Sequence, residues 1–320
     1  MPKQIDEDWT TCIGDSAIVI ASGKTQTQPN GQKAESKLLP GLYIVATPIG
    51  NIRDITLRAL DIFAGADVLA CEDTRVTQKL LRAYDITAAK IFPYHEHNAE
   101  IVRPKLMARL RAGETVALIS DAGTPLVSDP GYKLVRDAID ENIPVFAVPG
   151  ASASLAALVS AGLPTDRFLF AGFLPSRQNA RRQSLQELAA VPASLVFFES
   201  ARRLAESLAD MAELLDARPA AVARELTKLH EEVRRGPLDE LAAHYAAAGA
   251  PKGEVVIVVG PPGKQAAEVD IDAMLRDALR EMSLRDAAAA VSEASGQPRR
   301  KVYARALELS KSPGRKDGPG

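Results

Sequence analysis

The sequence is poor in cysteine and in long apolar runs. Its only cysteines, Cys12 and Cys71, are too few and too far apart in 320 residues for a disulfide framework or a zinc site. The apolar stretch Ala17 to Ala21 follows acidic residues and is too short for a signal peptide or a membrane span. We therefore expect a cytoplasmic protein without a membrane anchor.

The sequence also lacks an excess of either charge. Lys and Arg number 39 against 41 Asp and Glu, a net charge of −2, which argues against a uniformly basic nucleic-acid-binding protein. The second half nevertheless contains local basic clusters. These are Arg181-Arg182, Arg202-Arg203, Arg234-Arg235 and Arg299-Arg300-Lys301. Each is equally explained by a solvated helix face, so the charge pattern alone leaves polyanion binding open.

Several familiar site motifs are missing. No Gly-x-Gly-x-x-Gly follows a strand-like run and no Walker A motif is complete, which disfavours nicotinamide dinucleotides and phosphoryl transfer. His95-Glu96-His97 contains metal-ligand residue types, but no third cluster of ligands accompanies it. We predict no metal site.

What the chain does have is a series of short loops, each placed directly after an apolar run of strand length. The runs are Leu42 to Ala46, Val68 to Ala70, Val116 to Ile119 and Val145 to Val148, and the loops are Thr47 to Asn51, Glu72 to Arg75, Ser120 to Pro125 and Pro149-Gly150. Uninterrupted apolar runs are typical of parallel strands buried on both faces. Because ligands bind at the carboxyl edge of such sheets, the loops predict an active cleft and favour an enzyme.

Strands alternate with amphipathic helices through both halves of the chain. We predict an α/β fold of two domains with mostly parallel sheets, followed by a small C-terminal helical module. Asp54 and Asp129 are the predicted N-caps of two helices in the first half. The predicted divisions are a flexible extension over 1–38, an N-terminal α/β domain over 39–154, a C-terminal α/β domain over 155–262, and a linker, helical module and disordered tail over 263–320. Two helices joined at Gly296 resemble a helix-turn-helix nucleic-acid module, and a three-helix cap explains them equally well.

Four motifs together resemble a known family. They are Leu42 to Asn51, Ala70 to Arg75, Ser120 to Pro125 with Asp129 to Tyr132, and Ala223 to Lys228. In this order they are similar to the bacterial ribosomal RNA small subunit methyltransferase I family, the 16S rRNA (cytidine 2′-O)-methyltransferases. That family belongs to the tetrapyrrole-methylase-like, class III S-adenosylmethionine-dependent methyltransferases.

The resemblance implies a two-domain tetrapyrrole-methylase-like fold, usually homodimeric, with S-adenosylmethionine bound between the domains. It implies that the substrate is a cytidine ribose in 16S rRNA, either as free RNA or in the small ribosomal subunit. It also assigns cofactor contacts. These would be Pro48, Ile49, Gly50, Asp121, Gly123, Thr124, Pro125, Leu126, Ser152, Ala153, Phe198, Glu199, Glu225, Leu226, Gly253 and Glu254.

A ribose hydroxyl is a weak nucleophile, so a carboxylate or histidine that removes its proton would assist methyl transfer. Our hypothesis is that Glu72 or Asp73, with Arg75 and His95 nearby, orients the ribose. RNA phosphates would contact basic residues of the second half. These candidates are Arg181, Arg182, Arg202, Arg203, Arg299, Arg300 and Lys301. The alternatives are a methyltransferase that acts on a tetrapyrrole and a non-catalytic, S-adenosylmethionine-sensing RNA-binding factor.

Overall fold

Two five-stranded sheets and a C-terminal group of helices make up the fold. The computed structural model describes residues 38–129, 131–263, 271–295 and 298–311. The predictions for the N-terminal extension, the turn at Gly296 and the tail beyond residue 311 lie outside these residues. The strands are β1 Gly41–Val45, β2 Val68–Cys71, β3 Ile91–Pro93, β4 Thr115–Ile119, β5 Val145–Val148, β6 Phe168–Phe173, β7 Ser194–Ser200, β8 Pro219–Arg224, β9 Glu232–Pro237 and β10 Glu254–Val259. The helices are α1 Leu57–Gly65, α2 Thr74–Ala83, α3 Ala99–Arg111, α4 Tyr132–Asp140, α5 Ala153–Ala161, α6 Gln178–Leu188, α7 Leu204–Leu214, α8 Leu238–Ala248, α9 Ile271–Glu281, α10 Leu284–Ser295 and α11 Arg299–Lys311.

The first sheet is parallel, as predicted. Its strand order is β3-β2-β4-β1-β5, and every residue of β1, β2 and β4 is buried. Helices cover both faces, which is why these strands read as uninterrupted apolar runs. All carboxyl ends of the strands lie at one edge, so the loops that follow them are neighbours.

The second sheet differs from the mostly parallel pattern that we predicted. Its order is β6-β7-β10-β8-β9, where β6 pairs with β7 in parallel and the other pairings are antiparallel. The short connection between β8 and β9 allows an antiparallel hairpin but no parallel crossover, which accounts for the pairing of these two strands. Because β7 and β10 are antiparallel, the end of β7 lies beside the start of β10, with Ser200 opposite Glu254.

Two helix caps lie elsewhere than predicted. Asp54 ends a short 3-10 helix, and the N-cap of α1 is Thr56, whose hydroxyl accepts a hydrogen bond from the Ala59 N–H at 3.1 Å. Helix α4 begins at Tyr132 after Gly131, and not after Asp129. The Asp129 side chain is therefore not committed to a helix terminus.

Helix α5 joins the two halves of the molecule. It packs on β7, β8, β9 and β10 of the second sheet, and its Leu158 shares an apolar cluster with Ile49, Leu226 and Val256. The predicted division at residue 154 falls inside this helix. Its packing favours a division just before Ala153.

The C-terminal helices α9, α10 and α11 have a small core of their own. Leu275, Ala288, Val291, Val302 and Ala306 are buried in it. Among the described helices, none has the length and apolar character needed to cross a membrane.

Candidate active site

A cavity of about 710 Å³ lies between the two sheets. One wall comes from the loops that follow β1, β4 and β5 at the carboxyl edge of the first sheet. The other wall comes from the end of β7, the start of β10 and the turn at residues 251–253. The lining residues are Ile49, Ala122, Gly123, Thr124, Val127, Ser128, Asp129, Ser152, Ala153, Phe173, Phe198, Glu199, Ser200, Ala201, Arg202, Pro251, Lys252, Gly253, Glu254, Val255 and Val256.

Backbone hydrogen bonds hold the loops of the first wall together. Thr47 and Gly123 exchange N–H to C=O hydrogen bonds of 2.9 and 3.0 Å. The Ser120 hydroxyl donates to the Gly123 carbonyl at 2.8 Å. Further along this loop, Leu126 and Ser128 have φ values of 73° and 64°, a costly conformation for residues with a side chain. The loop is thus held in a conformation that local preference would not select.

The second wall depends on a glycine. Gly253 has φ of +95°, and a Cβ on this residue would overlap the carboxyl group of Glu225 behind it. That carboxyl group accepts hydrogen bonds from Lys228 Nζ at 2.8 Å and from the Glu254 N–H at 3.1 Å. The Lys228 interaction lowers the pKa of Glu225. Glu225 therefore supports the turn that faces the cavity without lining the cavity itself.

The two walls are tied across the domain junction. The Asn51 N–H donates to the Thr227 hydroxyl at 2.9 Å. A Cβ on Gly50 would lie 2.5 Å from Cγ of Lys228, so only glycine allows this close approach. The Thr47 to Asn51 loop thus has a joining role in addition to its contribution to the cavity.

Carboxyl groups are concentrated on the first-sheet side. Burial, followed by repulsion from Glu72 and Asp121, raises the pKa of Asp129 from 3.8 to about 6. Burial and the charge of Asp121 likewise raise the pKa of Glu72. Among the described residues, the Asp129 carboxylate has no hydrogen-bond donor or cationic partner, and it lines the cavity. It is a carboxylate able to accept a proton near neutral pH.

Asp73 is a weaker base than its neighbours. Its carboxylate accepts hydrogen bonds from the Arg75 guanidinium at 2.6 to 3.2 Å and from the Arg75 N–H at 2.8 Å, which lowers its pKa to about 2. It also caps α2. The Asp73 N–H donates to Asp121 Oδ1 at 2.9 Å, which ties the loops after β2 and β4 together.

His95 lies close enough to Glu72 to lower the pKa of that carboxyl group, although burial leaves it raised overall. Its Nδ1 is buried and has no hydrogen-bond partner among the described residues. The same described part of the chain contains no group of three or more residues placed to hold a metal ion. The predicted catalytic residues Glu72, Asp73 and His95 are thus brought together beside the cavity, but none of them lines it.

The predicted cofactor residues divide into two sets. Those that line the cavity are Ile49, Gly123, Thr124, Ser152, Ala153, Phe198, Glu199, Gly253 and Glu254. Those that do not line it are Pro48, Gly50, Asp121, Pro125, Leu126, Glu225 and Leu226. The second set builds the loops behind the wall, because neighbours in a loop point in different directions.

Glu199 lines the cavity, but its carboxylate is committed to other partners. It accepts hydrogen bonds from the Ser207 hydroxyl at 2.6 Å and the Ser200 N–H at 2.7 Å, and it pairs with Arg203 at 2.6 Å. This set of contacts anchors the start of α7.

Sequence reasoning missed part of the wall. Asp129 was predicted as a helix cap, and neither Phe173 nor Val256 was predicted to line the cavity. The available signal for Asp129 was its position in the same glycine- and proline-rich loop as Asp121. The other missed lining residues are Ala122, Val127, Ser128, Ser200, Ala201, Pro251, Lys252 and Val255.

The arginine predictions need correction. Arg181 is only 2% exposed and donates to Asp210 at 2.7 Å, so it is not available to RNA. Arg182 pairs with Asp210 and Glu213, and Arg203 pairs with Glu199. Arg202 differs, because it is exposed at the cavity and has no ion-pair partner among the described residues. Arg299, Arg300 and Lys301 are also exposed, at the start of α11.

Comparisons with known proteins agree with this architecture. Residues 41–242 match the model of the tetrapyrrole (corrin/porphyrin) methylases, and residues 265–310 match that of the RsmI C-terminal HTH domain. The ribosomal RNA small subunit methyltransferase I of Mesorhizobium japonicum is 56% identical over 88% of this chain and 96% of its own. That of Erythrobacter litoralis is 54% identical over 85% of this chain and 96% of its own.

A solved structure shows the fold. The cobalt precorrin-4 methyltransferase of cobalamin biosynthesis superposes with a TM-score of 0.52 at 20% identity, covering 68% of this chain and 94% of that protein. At this identity the similarity concerns the fold and not the substrate.

Proposed function

Because this chain belongs to the ribosomal RNA small subunit methyltransferase I family, we propose that it methylates the ribose 2′-hydroxyl of a cytidine in 16S rRNA. S-adenosylmethionine-dependent methylation of ribosomal RNA is the activity of this family. The observation that carries the proposal is Asp129, a carboxylate on the wall of a ligand-sized cavity that has no cationic partner within the described part of the chain.

The cavity fits S-adenosylmethionine in size and character. Its volume of about 710 Å³ lies within the range of about 300 to 1,000 Å³ for small-molecule sites. Gly123 and Gly253 line the cavity without side chains, and Ile49, Phe198 and Val256 supply apolar surface. When bound, S-adenosylmethionine supplies a methyl group activated by its sulfonium. The nine lining residues that the sequence predicted are those we propose to hold it.

The chemistry required of the protein is alignment and removal of one proton. Alignment of the reacting groups accounts for much of the rate in a displacement of this kind. Asp129 accepts the proton of the ribose hydroxyl, since a base is most effective when its pKa lies near the working pH. The charges of Glu72 and Asp121 help to raise the pKa of Asp129, and His95 lies near Glu72. Asp73 and Arg75 orient the ribose, because their mutual pairing leaves Asp73 a poor base.

The RNA is held from the second half of the chain. Arg202 is positioned at the cavity to meet a phosphate, and Arg299, Arg300 and Lys301 extend the contact from the helical module. Arg181 and Arg203 have structural roles and support this surface indirectly.

We also propose a homodimer that works in the cytoplasm, where small ribosomal subunits are found. Large apolar side chains remain exposed on neighbouring elements, namely Leu155 and Val159 of α5 and Phe168 and Phe173 of β6. A second copy of the chain would cover them. Sedimentation of the purified protein tests the dimer.

The decisive experiment is transfer of labelled methyl from S-adenosylmethionine to small ribosomal subunits that lack ribose methylation. We expect 2′-O-methylcytidine when the product nucleosides are identified by mass spectrometry. A methylated base, or no transfer despite binding of S-adenosylmethionine, would contradict the proposal. A parallel reaction with a tetrapyrrole acceptor should give no product.

A further inference from the structure

A second, polar cavity of about 440 Å³ lies between the β8–β9 hairpin, α8 and the turn before β10. It shares only Pro251 and Lys252 with the cavity described above. Its lining is rich in basic side chains. The lining residues are Arg224, His230, Glu232, Arg234, His244, Tyr245, Ala248, Gly249, Ala250, Pro251 and Lys252.

The charges of this second cavity do not balance. Arg224 and Arg234 both donate to Glu232, each at 3.1 Å, so one carboxylate serves two guanidinium groups. Each guanidinium has five N–H donors, and most of them remain available. The Lys252 ammonium is exposed and has no anionic partner among the described residues. The cavity therefore carries surplus positive charge.

Tyr245 of this lining is buried in a hydrophobic core, whereas four basic lining residues lie at the surface. His230, Arg234, His244 and Lys252 are exposed, so their polar groups do not stabilise a buried core. Surplus cations that converge on a concave surface favour an anion with several acceptor oxygens. A phosphate group fits this description, because guanidinium groups bind its oxygens in pairs.

The position of the cavity indicates which phosphate it binds. Pro251 and Lys252 line both cavities, so the second cavity adjoins the first at this turn. A phosphate next to a ribose that enters the first cavity would therefore lie near the second. We propose that the second cavity binds a phosphodiester of the RNA strand beside the methylated nucleotide. The identity of the RNA rests on the proposed function, whereas the phosphate chemistry does not.

The test is binding of labelled oligocytidylate to the full-length protein at several salt concentrations. Arg234→Gln removes a cation that lines only the second cavity. We expect affinity to fall about three- to tenfold and the salt dependence to decrease by about 0.7 per lost contact, while the Kd for S-adenosylmethionine is unchanged. The matched control is Arg111→Gln, which removes another exposed arginine paired with a single glutamate, Glu141, at 2.5 Å. Equal losses in both variants would overturn the proposal.

Glu232→Gln gives a result that general damage to the fold cannot produce. It removes the acid of this lining and frees both guanidinium groups, so oligocytidylate should bind about two- to fivefold more tightly. Weaker binding would contradict the proposal. Inorganic phosphate should compete with the oligonucleotide for the wild-type protein; phosphate binding without competition would assign the cavity to free phosphate instead. Because these readouts involve no methyl transfer, they can succeed even if small subunits prove not to be the substrate.

Discussion

Two groups of acidic side chains in this molecule have opposite electrostatic environments. In the second half, Asp210 is 3% exposed and accepts hydrogen bonds from Arg181 and Arg182 at 2.7 and 3.1 Å. Burial alone would raise the pKa of Asp210, but these arginines outweigh it and lower the pKa. By contrast, Asp129 on the cavity wall and Glu72 beside it are only partly buried, face other acids, and have raised pKa values.

This difference distinguishes charges that stabilise the fold from charges that are suited to catalysis. A buried charge with its partners in place holds elements together, as Asp210 holds α6 to α7. A partly buried carboxylate that faces other acids also costs folding free energy, and such costs are typical of active sites. Three variants test this comparison.

The largest effect on stability should come from Asp210→Asn. It leaves the buried Arg181 guanidinium with only the exposed Glu206, 3.8 Å away, as an anionic partner among the described residues, which costs about 3 kcal/mol of unfolding free energy. Urea denaturation measures this cost, and the control is Glu213→Gln, which removes the exposed partner of Arg182 and should change stability little. Comparable losses in the two variants would show that burial does not distinguish these acids.

Asp129→Asn should have the opposite effect on stability and a large effect on activity. We expect kcat to fall about 100-fold, since the base is lost. We also expect the unfolding free energy to rise by about 1 kcal/mol, after allowing for solvent screening of a partly exposed group, since an uncompensated charge is removed. The control Asp140→Asn changes an exposed aspartate of α4. An Asp129→Asn variant that keeps its activity and is no more stable than the wild type would contradict the comparison.

The pH dependence follows from the same raised pKa. Below about 6 the Asp129 carboxyl group is protonated, so kcat should fall tenfold per pH unit and level off above that value. The free energy of unfolding changes in the opposite direction with pH. The folded state binds this proton more tightly than the unfolded chain, so protonation of Asp129 stabilises the fold at low pH, and this stabilisation is lost as pH rises from 3.8 to about 6. Asp129→Asn should remove both dependences.

The smallest effect should come from Lys228→Met, which removes the shared cationic partner of two carboxylates. Lys228 pairs with Glu225 at 2.8 Å and Glu254 at 3.1 Å. Its removal should raise the pKa of Glu225 and cost about 1 kcal/mol of unfolding free energy. S-adenosylmethionine should also bind more weakly, because the Gly253 turn loses its support. Calorimetry measures the unfolding free energy and the affinity for S-adenosylmethionine, and Lys105→Met on α3 is the control.

Much of the first half was predictable from sequence. The apolar runs of β1, β2, β4 and β5 fall within a residue of the observed strands, because parallel strands buried on both faces leave an uninterrupted signature. The loops after β1 and β4 follow the same rule, and Ile49, Gly123 and Thr124 of these loops line the cavity. The short strand β3 carries too few residues for a pattern and was missed.

The second half was less predictable. The adjacent arginines Arg181 and Arg182 look alike in sequence, yet one is buried and the other is partly exposed, because they lie about 100° apart around α6. Their burial depends on where α7 places Asp210, which no local pattern records. The mixed strand directions of the second sheet depend likewise on how β8, β9 and β10 pair.

The sequence by itself determined the α/β alternation, the carboxyl-edge loops and the motifs that carry the family resemblance, since these are local patterns of apolarity, glycine and proline. Only the tertiary structure decided which loop residues face the cavity and which acids have partners. A pKa depends on burial and on charges from distant parts of the chain, and so Asp129 acquires its character only when the chain is folded.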